Sequence, residues 1–364
     1  MQESPCRRRG RCALSPLLAP AARLYAGCMA LRARCYALPW ARPYTASCPV
    51  VSIGNIAWGG SGKTPLARWL LGWAEKNAVR AVVLTRGYKA SPPALPHVVS
   101  PSGSARESGD EPLLLARSQP DALVLVDPQR ARAAAWAEKN ATPHMFILDD
   151  GMQHMALRRD LDIVLLRPRD LLDDWNAVIP SGPWREGAGA LARAGAFCVK
   201  SDAASFSALA ALVERRLAPF GKPVFSFRLA PTGVRRLSSS GAASSLRPDL
   251  GGKDYVLADG VGNPEQVAAT AKALLGVAPK QHCAFPDHHA YTERDAARLS
   301  SHGLPVVCTA KDAVKLAELL PAFGAVPVWV LETCLEFGPA LYAEHSFPQW
   351  WEQWWQKRTT QTRP

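Results

Sequence analysis

The chain has 364 residues, 48% of which are hydrophobic, and its formal net charge is +12. This length exceeds what one small core needs and predicts two domains of ordinary size. No apolar run approaches the roughly eighteen uninterrupted residues of a membrane-spanning helix, so an integral membrane protein is not predicted. The basic surplus favours an anionic partner, and composition alone does not choose among nucleic acid, a phosphorylated substrate and anionic lipid.

The cysteine pattern argues against a disulfide framework and against a zinc site. The nine cysteines are an odd number and include no Cys-x-x-Cys pair. A disulfide framework and a zinc site are therefore both disfavoured, and reduced thiols are expected.

Residues 1–44 form the first predicted segment. Four arginines at positions 7, 8, 9 and 11 precede apolar residues that recur at helical spacing as far as Trp40. Three interpretations remain open: a secretory signal, a helix docked on its own domain, and an amphipathic helix lying on an anionic membrane. The arginines and prolines inside the apolar stretch argue against the signal. The basic flank and the Leu, Tyr and Trp residues favour the membrane-surface helix.

A phosphate-binding loop is predicted next. The β-branched run Pro49–Ile53 predicts a buried strand, a glycine loop follows it, and later apolar residues recur at helical spacing. Strand, glycine loop and helix are the context that a P-loop requires, although an ordinary glycine turn before a helix is the alternative. Ala57 stands where the usual pattern has its first glycine. The predicted nucleotide-binding residues are Ala57, Trp58, Gly59, Gly60, Ser61, Gly62, Lys63 and Thr64.

Each part of that loop has a chemical task. Backbone amides and the helix N-terminus face phosphate oxygens. The ammonium of Lys63 is expected on the β- and γ-phosphates of ATP, and the hydroxyl of Thr64 on Mg²⁺.

Charged residues follow two of the next predicted strands. Arg86 and Lys89 follow the strand Ala81–Leu84, at the edge that faces ligands in an open α/β sheet; solvated basic residues are the alternative. The strand His144–Leu148 ends in Asp149 and Asp150. This pair resembles a Walker B element that holds Mg²⁺, because adjacent buried acids need a compensating cation. A loop of solvated acids is the alternative.

Two further segments carry candidate catalytic groups. Asp110 precedes an apolar run, where it either caps a helix or takes the proton of an attacking hydroxyl. Arg185 follows a Pro–Gly turn after the strand Leu161–Leu166 and is predicted to stabilise a transferring phosphoryl group.

Beyond residue 225 the α/β pattern restarts. Strands are predicted at Tyr255–Ala258 and Pro305–Cys308, with a helix over 264–275 between them. Asp287, His288 and His289 lie together in this part of the chain, where they suggest proton transfer or substrate binding rather than a metal site. Lys311 and Asp312 follow the second of these strands.

The motifs become specific as an ordered set. They read SIGN, GGSGKTP, TRGYK, GDEP, DDGMQH, SGPWRE, GNPE, FPDHHAYT and TAKDAVK. Together they resemble the tetraacyldisaccharide 4′-kinase family of lipid A biosynthesis, over about residue 14 to about residue 335. The resemblance implies ATP-dependent phosphorylation of the 4′-hydroxyl of a tetraacyldisaccharide 1-phosphate by a peripheral enzyme on the cytoplasmic face of the inner membrane.

The resemblance also implies an α/β fold. It consists of a P-loop-containing α/β/α sandwich, at 45–225, and a second, smaller α/β domain, at 226–340, joined by a β-ribbon hinge. A Trp-rich tail occupies 341–364, and both a second membrane contact and packing on the C-terminal domain are open for it. A monomer is expected.

Residue roles follow from the same resemblance. Asp110 and His288 correspond to a proton-transfer pair. Metal contacts are assigned to Thr64, Asp149 and Asp150, and substrate contacts to Arg86, Glu186 and His289. The chain departs from the family pattern at Trp58, at Ala310 and at Trp175 with Asn176. The last two departures affect expected contacts to substrate and hinge and leave the phosphate machinery intact.

Two other classes of protein are disfavoured. A GTPase switch is disfavoured because no NKxD-type base-reading motif is present. A nucleic-acid-binding protein is suggested by charge alone, and the charge is spread along the chain, so no nucleic-acid partner is expected.

Overall fold

A twelve-stranded sheet organises the protein. A computed structural model describes residues 15–38, 40–238 and 245–361. The strands in this part of the chain are β1 (Val50–Asn55), β2 (Ala81–Thr85), β3 (His97–Val98), β4 (Leu123–Val126), β5 (Met145–Asp149), β6 (Leu161–Leu166), β7 (Ala196–Lys200), β8 (Val224–Arg236), β9 (Val256–Asp259), β10 (Gln281–Ala284), β11 (Val306–Thr309) and β12 (Val328–Leu341). Their spatial order is β10-β9-β11-β12-β8-β7-β6-β1-β5-β2-β4-β3.

Helices cover both faces of this sheet. The α-helices of the described residues are α1 (Ser15–Ala37), α2 (Lys63–Lys76), α3 (Ala105–Ser108), α4 (Asp110–Ser118), α5 (Arg130–Asn140), α6 (Pro168–Leu171), α7 (Ala203–Ala208), α8 (Ala210–Leu217), α9 (Pro264–Leu275), α10 (Glu293–Ser300), α11 (Ala310–Leu316) and α12 (Phe347–Gln361). Short 3₁₀ segments lie at Ala188–Arg193, Ala218–Phe220 and Ala317–Phe323. The predicted strand Leu161–Leu166 and the predicted helix 264–275 coincide with β6 and α9.

The first half of the sheet is an α/β/α sandwich with β1 near its centre, parallel except for the antiparallel edge strand β3. All six residues of β1 are buried. Val51 and Ile53 face the cluster that contains Leu66 of α2, whereas Val50 faces the cluster that contains Ala133 of α5. A parallel strand covered by helices on both sides reads as a continuous apolar run, which explains the sequence of this segment. The predicted sandwich is confirmed.

A two-stranded ribbon joins the two halves of the sheet. The long strands β8 and β12 pair antiparallel to each other. The start of β8 pairs with β7 of the first half, and the start of β12 pairs with β11 of the second half. The second half, with β9, β10 and β11 in parallel, has its own clusters on each face. The expected smaller α/β domain and the β-ribbon are therefore present.

Helix α1 lies on the first half with one face and leaves the other exposed. Tyr25 packs against the cluster that contains Ala57 and Trp184, and the Arg32 guanidinium donates to the Gln153 carbonyl at 3.1 Å. Three leucines at seven-residue intervals are exposed instead: Leu17, Leu24 and Leu31, at 76%, 72% and 62%. No helix in the described ranges has the length and apolarity needed to cross a bilayer. The arginines at 7–11 lie outside the described residues.

The Trp-rich tail forms α12, which packs on α2 and the ribbon. Trp351 is fully buried, and its ring meets that of Trp73 edge to face at 5.2 Å. Phe347 stacks on Phe337 of β12 at 4.5 Å. Packing, one of the two alternatives for this segment, is therefore observed, and its aromatic residues cover α2 together with β12.

Candidate active site

The loop between β1 and α2 presents unused backbone amides at the carboxyl edge of the sheet. None of the hydrogen bonds among the described residues uses the amides of residues 60–64. The hydroxyl of Ser61 is buried and likewise has no partner there. Buried donors without acceptors are costly in a folded protein, so this arrangement is that of a binding loop prepared for an anion.

Gly62 makes the loop possible. Its φ of +95° lies in the left-handed region, which disfavours residues with a side chain. A Cβ at this position would also meet the Phe227 ring at 2.9 Å. The loop therefore turns tightly into the N-terminus of α2, where the positive end of the helix dipole adds to the amides.

Ala57 and Trp58, the first two residues of the predicted nucleotide-binding set, contact another segment of the chain. Ala57 is buried and forms an antiparallel bridge with Trp184. The amide of Trp58 donates to the Pro183 carbonyl at 3.0 Å, while its indole is 64% exposed. These two residues anchor the loop to the segment 183–184, and their contacts leave the phosphate cradle to residues 59–64.

Lys63, Asp150 and Arg185 meet around Asn55. The Lys63 ammonium lies 3.2 Å from Asn55 Oδ1 and 3.6 Å from Asp150 Oδ1. Arg185 donates two hydrogen bonds of 2.8 Å to the Asp150 carboxylate and one of 2.8 Å to the Asn55 carbonyl. Although burial raises the pKa of Asp150, the Arg185 hydrogen bonds and the Lys63 charge outweigh it and lower that pKa strongly. Asp150 is therefore an anion held by two cations.

The Pro–Gly turn places Arg185. The peptide bond between Ile179 and Pro180 is cis. Trp184 then bridges both Val178 and Ala57, and the Arg185 amide donates to the Ile56 carbonyl at 2.7 Å. The turn and the start of the P-loop are thus tied together through their backbones.

Asp149 has a different environment from Asp150. It is buried at the end of β5, where Oδ2 accepts from the Thr85 hydroxyl at 3.3 Å and Oδ1 has no partner. Burial, with the nearby charge of Glu111, raises the pKa of Asp149 to about 7. An orphaned carboxylate oxygen of this kind fits a cation, and one carboxylate with one hydroxyl is the protein ligand set that P-loop proteins give Mg²⁺. The described residues contain no cluster of three or more metal-binding side chains.

Asp110 and His288 bring the two halves of the molecule together. Asp110 is the first residue of α4 and makes no capping hydrogen bond. Its Oδ2 instead lies 3.2 Å from His288 Nδ1 and 3.1 Å from the Lys315 ammonium. Burial raises the pKa of Asp110, but the hydrogen bonds and charges of His288 and Lys315 lower it overall. Asp110 is therefore an ion-paired carboxylate and not a helix cap.

The remaining predicted substrate residues lie in distinct places. Arg86 is exposed at the end of β2 and forms no ion pair with the described residues. Glu186 is buried, with its carboxylate held by Arg193 at 2.7 and 2.9 Å and by Gln153 at 3.0 Å. The carboxylate of Glu186 is therefore already bonded to side chains of the protein itself.

His289 does not join its neighbour at the site. Its Nε2 lies 3.1 Å from Asp295 Oδ2, and its ring stacks on Phe285 at 4.7 Å. Since these partners all belong to the second half, His288 is the histidine that reaches Asp110.

Sequence reasoning missed three residues of this site. Asn55 ends the SIGN motif and contacts both cations described above. Arg130 follows β4, and its positive charge interacts electrostatically with the carboxylates of Asp149 and Asp150. Lys315 comes one helical turn after Lys311, and that spacing of four was the signal that could have identified it.

Comparisons with known proteins point to one family. A family model described as tetraacyldisaccharide-1-P 4′-kinase matches residues 14–346. A tetraacyldisaccharide 4′-kinase of Nitratidesulfovibrio vulgaris is 52% identical over 94% of this chain and 94% of its own. That of Oleidesulfovibrio alaskensis is 48% identical over 94% and 96%. A crystal structure of the "apo" form of LpxK from Aquifex aeolicus in complex with ATP is 29% identical, with a TM-score of 0.70, and covers 89% of this chain and 95% of that one.

Proposed function

The chain belongs to the tetraacyldisaccharide 4′-kinase family, and we propose that it transfers the γ-phosphoryl group of ATP to the 4′-hydroxyl of tetraacyldisaccharide 1-phosphate. In this reaction of lipid A biosynthesis the hydroxyl O–H bond breaks, a new P–O bond forms, and ADP leaves. The observation that carries the proposal is the Asp110–His288 contact between the two halves, in a chain whose first half also carries a P-loop.

The loop and its lysine bind the triphosphate. The amides of residues 60–64 donate hydrogen bonds to phosphate oxygens, and the Lys63 ammonium moves from Asn55 and Asp150 to the β- and γ-phosphates. That move is short, because Lys63 already lies at the start of α2.

Thr64 and Asp149 would hold Mg²⁺. Asp149 supports this assignment better than Asp150 does, since Asp149 has the unpartnered oxygen and Asp150 is held by Arg185. The ion, when bound, neutralises charge on the phosphates. Asp150 then serves to orient Arg185 and Lys63.

The acceptor is activated by Asp110. Its Oδ1 makes no hydrogen bond to the described residues, so this oxygen is free to take the proton of the 4′-hydroxyl. His288 holds the other oxygen and orients the carboxylate. Arg185, whose guanidinium lies beside Asn55, stabilises negative charge on the transferring group.

The lipid substrate requires a membrane surface. The exposed leucines of α1, together with Trp40 at 71% exposure, suit insertion into the headgroup region on the cytoplasmic side of the inner membrane. The other face of α1 packs, through Tyr25 and Ala26, on the apolar cluster that contains Ala57. The segments 45–225 and 226–340 act as domains that close about the β8–β12 ribbon and exclude water.

Product analysis tests the proposal. The full chain is incubated with radiolabelled ATP, Mg²⁺ and tetraacyldisaccharide 1-phosphate in detergent micelles, and the lipid is separated by chromatography. A labelled bisphosphorylated lipid is expected from the wild type, and Lys63→Met should lower the rate by about 10²-fold or more. Lys76→Met is the matched control, because Lys76 is exposed at the far end of the same helix. Absence of lipid product at full ATP affinity would refute the assignment.

A further inference from the structure

Two lysines of α11 reach the Asp110–His288 pair from the second half. Lys311 and Lys315 are four residues apart, so they share one face of the helix. The Lys315 ammonium lies 3.1 Å from Asp110 Oδ2, and the Lys311 ammonium lies 3.1 Å from His288 Nε2. Their side chains are only 17% and 10% exposed, which distinguishes them from ordinary surface lysines.

The helix that carries these lysines is fixed against α4. Val314, which lies between them, is buried in the same apolar cluster as Leu113 and Leu115 of α4. The Arg117 guanidinium donates to the Val314 carbonyl at 3.0 Å. The two ammonium groups are therefore held in place by packing.

Lys311 determines which nitrogen of His288 carries the proton. An ammonium group only donates hydrogen bonds, so Nε2 of His288 must accept from Lys311. The ring proton then resides on Nδ1, from which it is donated to Asp110 Oδ2. Asp287 accepts from the same ammonium at 2.8 Å and keeps Lys311 in this position.

Lys315 acts on Asp110 directly. Its ammonium and the His288 ring both donate to Oδ2, which leaves Oδ1 without a hydrogen bond among the described residues. The groups that act on this carboxylate are His288, from the loop after β10, and Lys315, from α11; together they outweigh burial and lower its pKa. The Lys315 ammonium also lies over the Tyr291 ring at 5.4 Å, which fixes its direction.

We propose that Lys315 and Lys311 are positioning residues for phosphoryl transfer. Lys315 keeps Asp110 a carboxylate with Oδ1 turned towards the substrate hydroxyl, and Lys311 fixes the His288 tautomer that holds Asp110 in that orientation. The inference rests on the proposed function, because it assigns Asp110 as the proton acceptor. It adds that lysines of the second half set the charge and orientation of the proton acceptor in the first half.

The pH dependence of the rate tests this role. The pH profile of kcat is measured for the wild type, Lys315→Met, Lys315→Gln and Lys315→Arg, each checked for folding by thermal unfolding. Loss of the lysine charge raises the pKa of Asp110, so the acid limb of the profile should move to higher pH by about one unit in the Met and Gln variants. Lys315→Arg should retain most of the wild-type limb, and KM for ATP should stay within about twofold in all three. The Gln variant decides the matter if the Met variant does not fold.

Further variants separate this inference from the function on which it rests. Lys311→Met should lower kcat about tenfold with a smaller shift of the acid limb, because it acts through the His288 ring. Lys280→Met, in a surface pair with Asp254 at 3.3 Å, is the control and should leave the profile unchanged. If the acid limb of the kcat profile does not move in a folded Lys315→Met or Lys315→Gln variant while Asp110→Asn is inactive, the role of Lys315 is overturned and that of Asp110 stands. Full activity of Asp110→Asn would overturn the assigned proton acceptor itself.

Discussion

Nδ1 of His288 lies 3.2 Å from Oδ2 of Asp110, although 178 residues separate them in the chain. Asp110 begins α4 in the first half, and His288 lies in the loop after β10 in the second. The contact thus forms only when the halves are packed against each other. A histidine in the left-handed region, with φ of 60°, is uncommon, and here it directs the ring across the boundary.

The Asp110–His288 pair should be required for turnover but not for nucleotide binding. Asp110→Asn removes the proton acceptor while keeping its shape, so kcat should fall by about 10²–10⁴-fold, and His288→Ala should lower kcat less because its ring only orients the carboxylate. ATP affinity, measured by calorimetry, should be unchanged because the side-chain hydrogen bonds of Asp110 and His288 are made to each other and to lysines of α11, and not to the P-loop. His289→Ala is the matched control. A comparable loss of kcat in that variant would contradict the assignment of His288.

His154 should make the fold less stable in acid. Burial, followed by the charges of Arg130, Arg159 and Arg32, lowers the pKa of His154 from 6.5 to about 4. His154 is therefore protonated below pH 6.5 in the unfolded chain, but in the folded protein only below about pH 4. Stability from this residue is present above pH 6.5 and lost as pH falls towards 4, by about 2 kcal/mol after allowance for partial exposure.

Urea unfolding at several pH values measures the effect of His154. The free energy of unfolding of His154→Gln should fall less steeply between pH 6.5 and 4 than that of the wild type. His302→Gln, which changes an exposed histidine on the second half, is the control. Parallel curves for wild type and His154→Gln would exclude this contribution.

The C-terminal helix α12 should contribute strongly to stability. Trp351 is fully buried against Trp73, so Trp351→Ala should destabilise the protein by about 3–5 kcal/mol through the cavity it creates. Trp351→Phe should cost clearly less, because the indole Nε1 has no hydrogen-bond partner to lose. Equilibrium unfolding gives both values. Equal and small effects would mean that α12 is not part of the folded core.

The exposed leucines of α1 should control membrane binding. Replacement of Leu24 and Leu31 by glutamate should lower partitioning onto vesicles of anionic lipid by about tenfold or more, since it removes apolar area and adds negative charge. Thermal stability should change little, because the packed face of α1 is intact. Sedimentation with vesicles measures the binding. Leu246→Glu, at a leucine exposed elsewhere, is the control and should bind like the wild type.

Local patterns predicted the elements well because the strands are strongly apolar. The run Leu161–Leu166 and the segment 264–275 were predicted with their observed bounds, and the β1 prediction began one residue early and ended two residues early. The P-loop followed from the order of strand, glycines and helix. Which residues would face each other across the halves had no such local signal.

Long-range contacts are where prediction from sequence was incomplete. In each of the adjacent pairs Asp149–Asp150 and His288–His289 the two residues have different partners, and sequence did not distinguish them. The turn at Asp150, with φ of 50°, sends its carboxylate to Arg185, whereas Asp149 points into the core beside Thr85. The packing partner of the Trp-rich tail was left open for the same reason, since α2 lies far away in the chain.

The amino-acid sequence by itself determined the phosphate loop, the order of the elements and the family, because glycine conformations, apolar periods and motif residues act over a few neighbouring positions. Only the tertiary structure decided that Lys311 and Lys315 flank the Asp110–His288 pair and that Glu186 and His289 are occupied elsewhere. The physical reason is that a carboxylate, an imidazole and an ammonium act on each other within a few ångströms. Packing of α11 on α4, and not proximity along the chain, sets those distances.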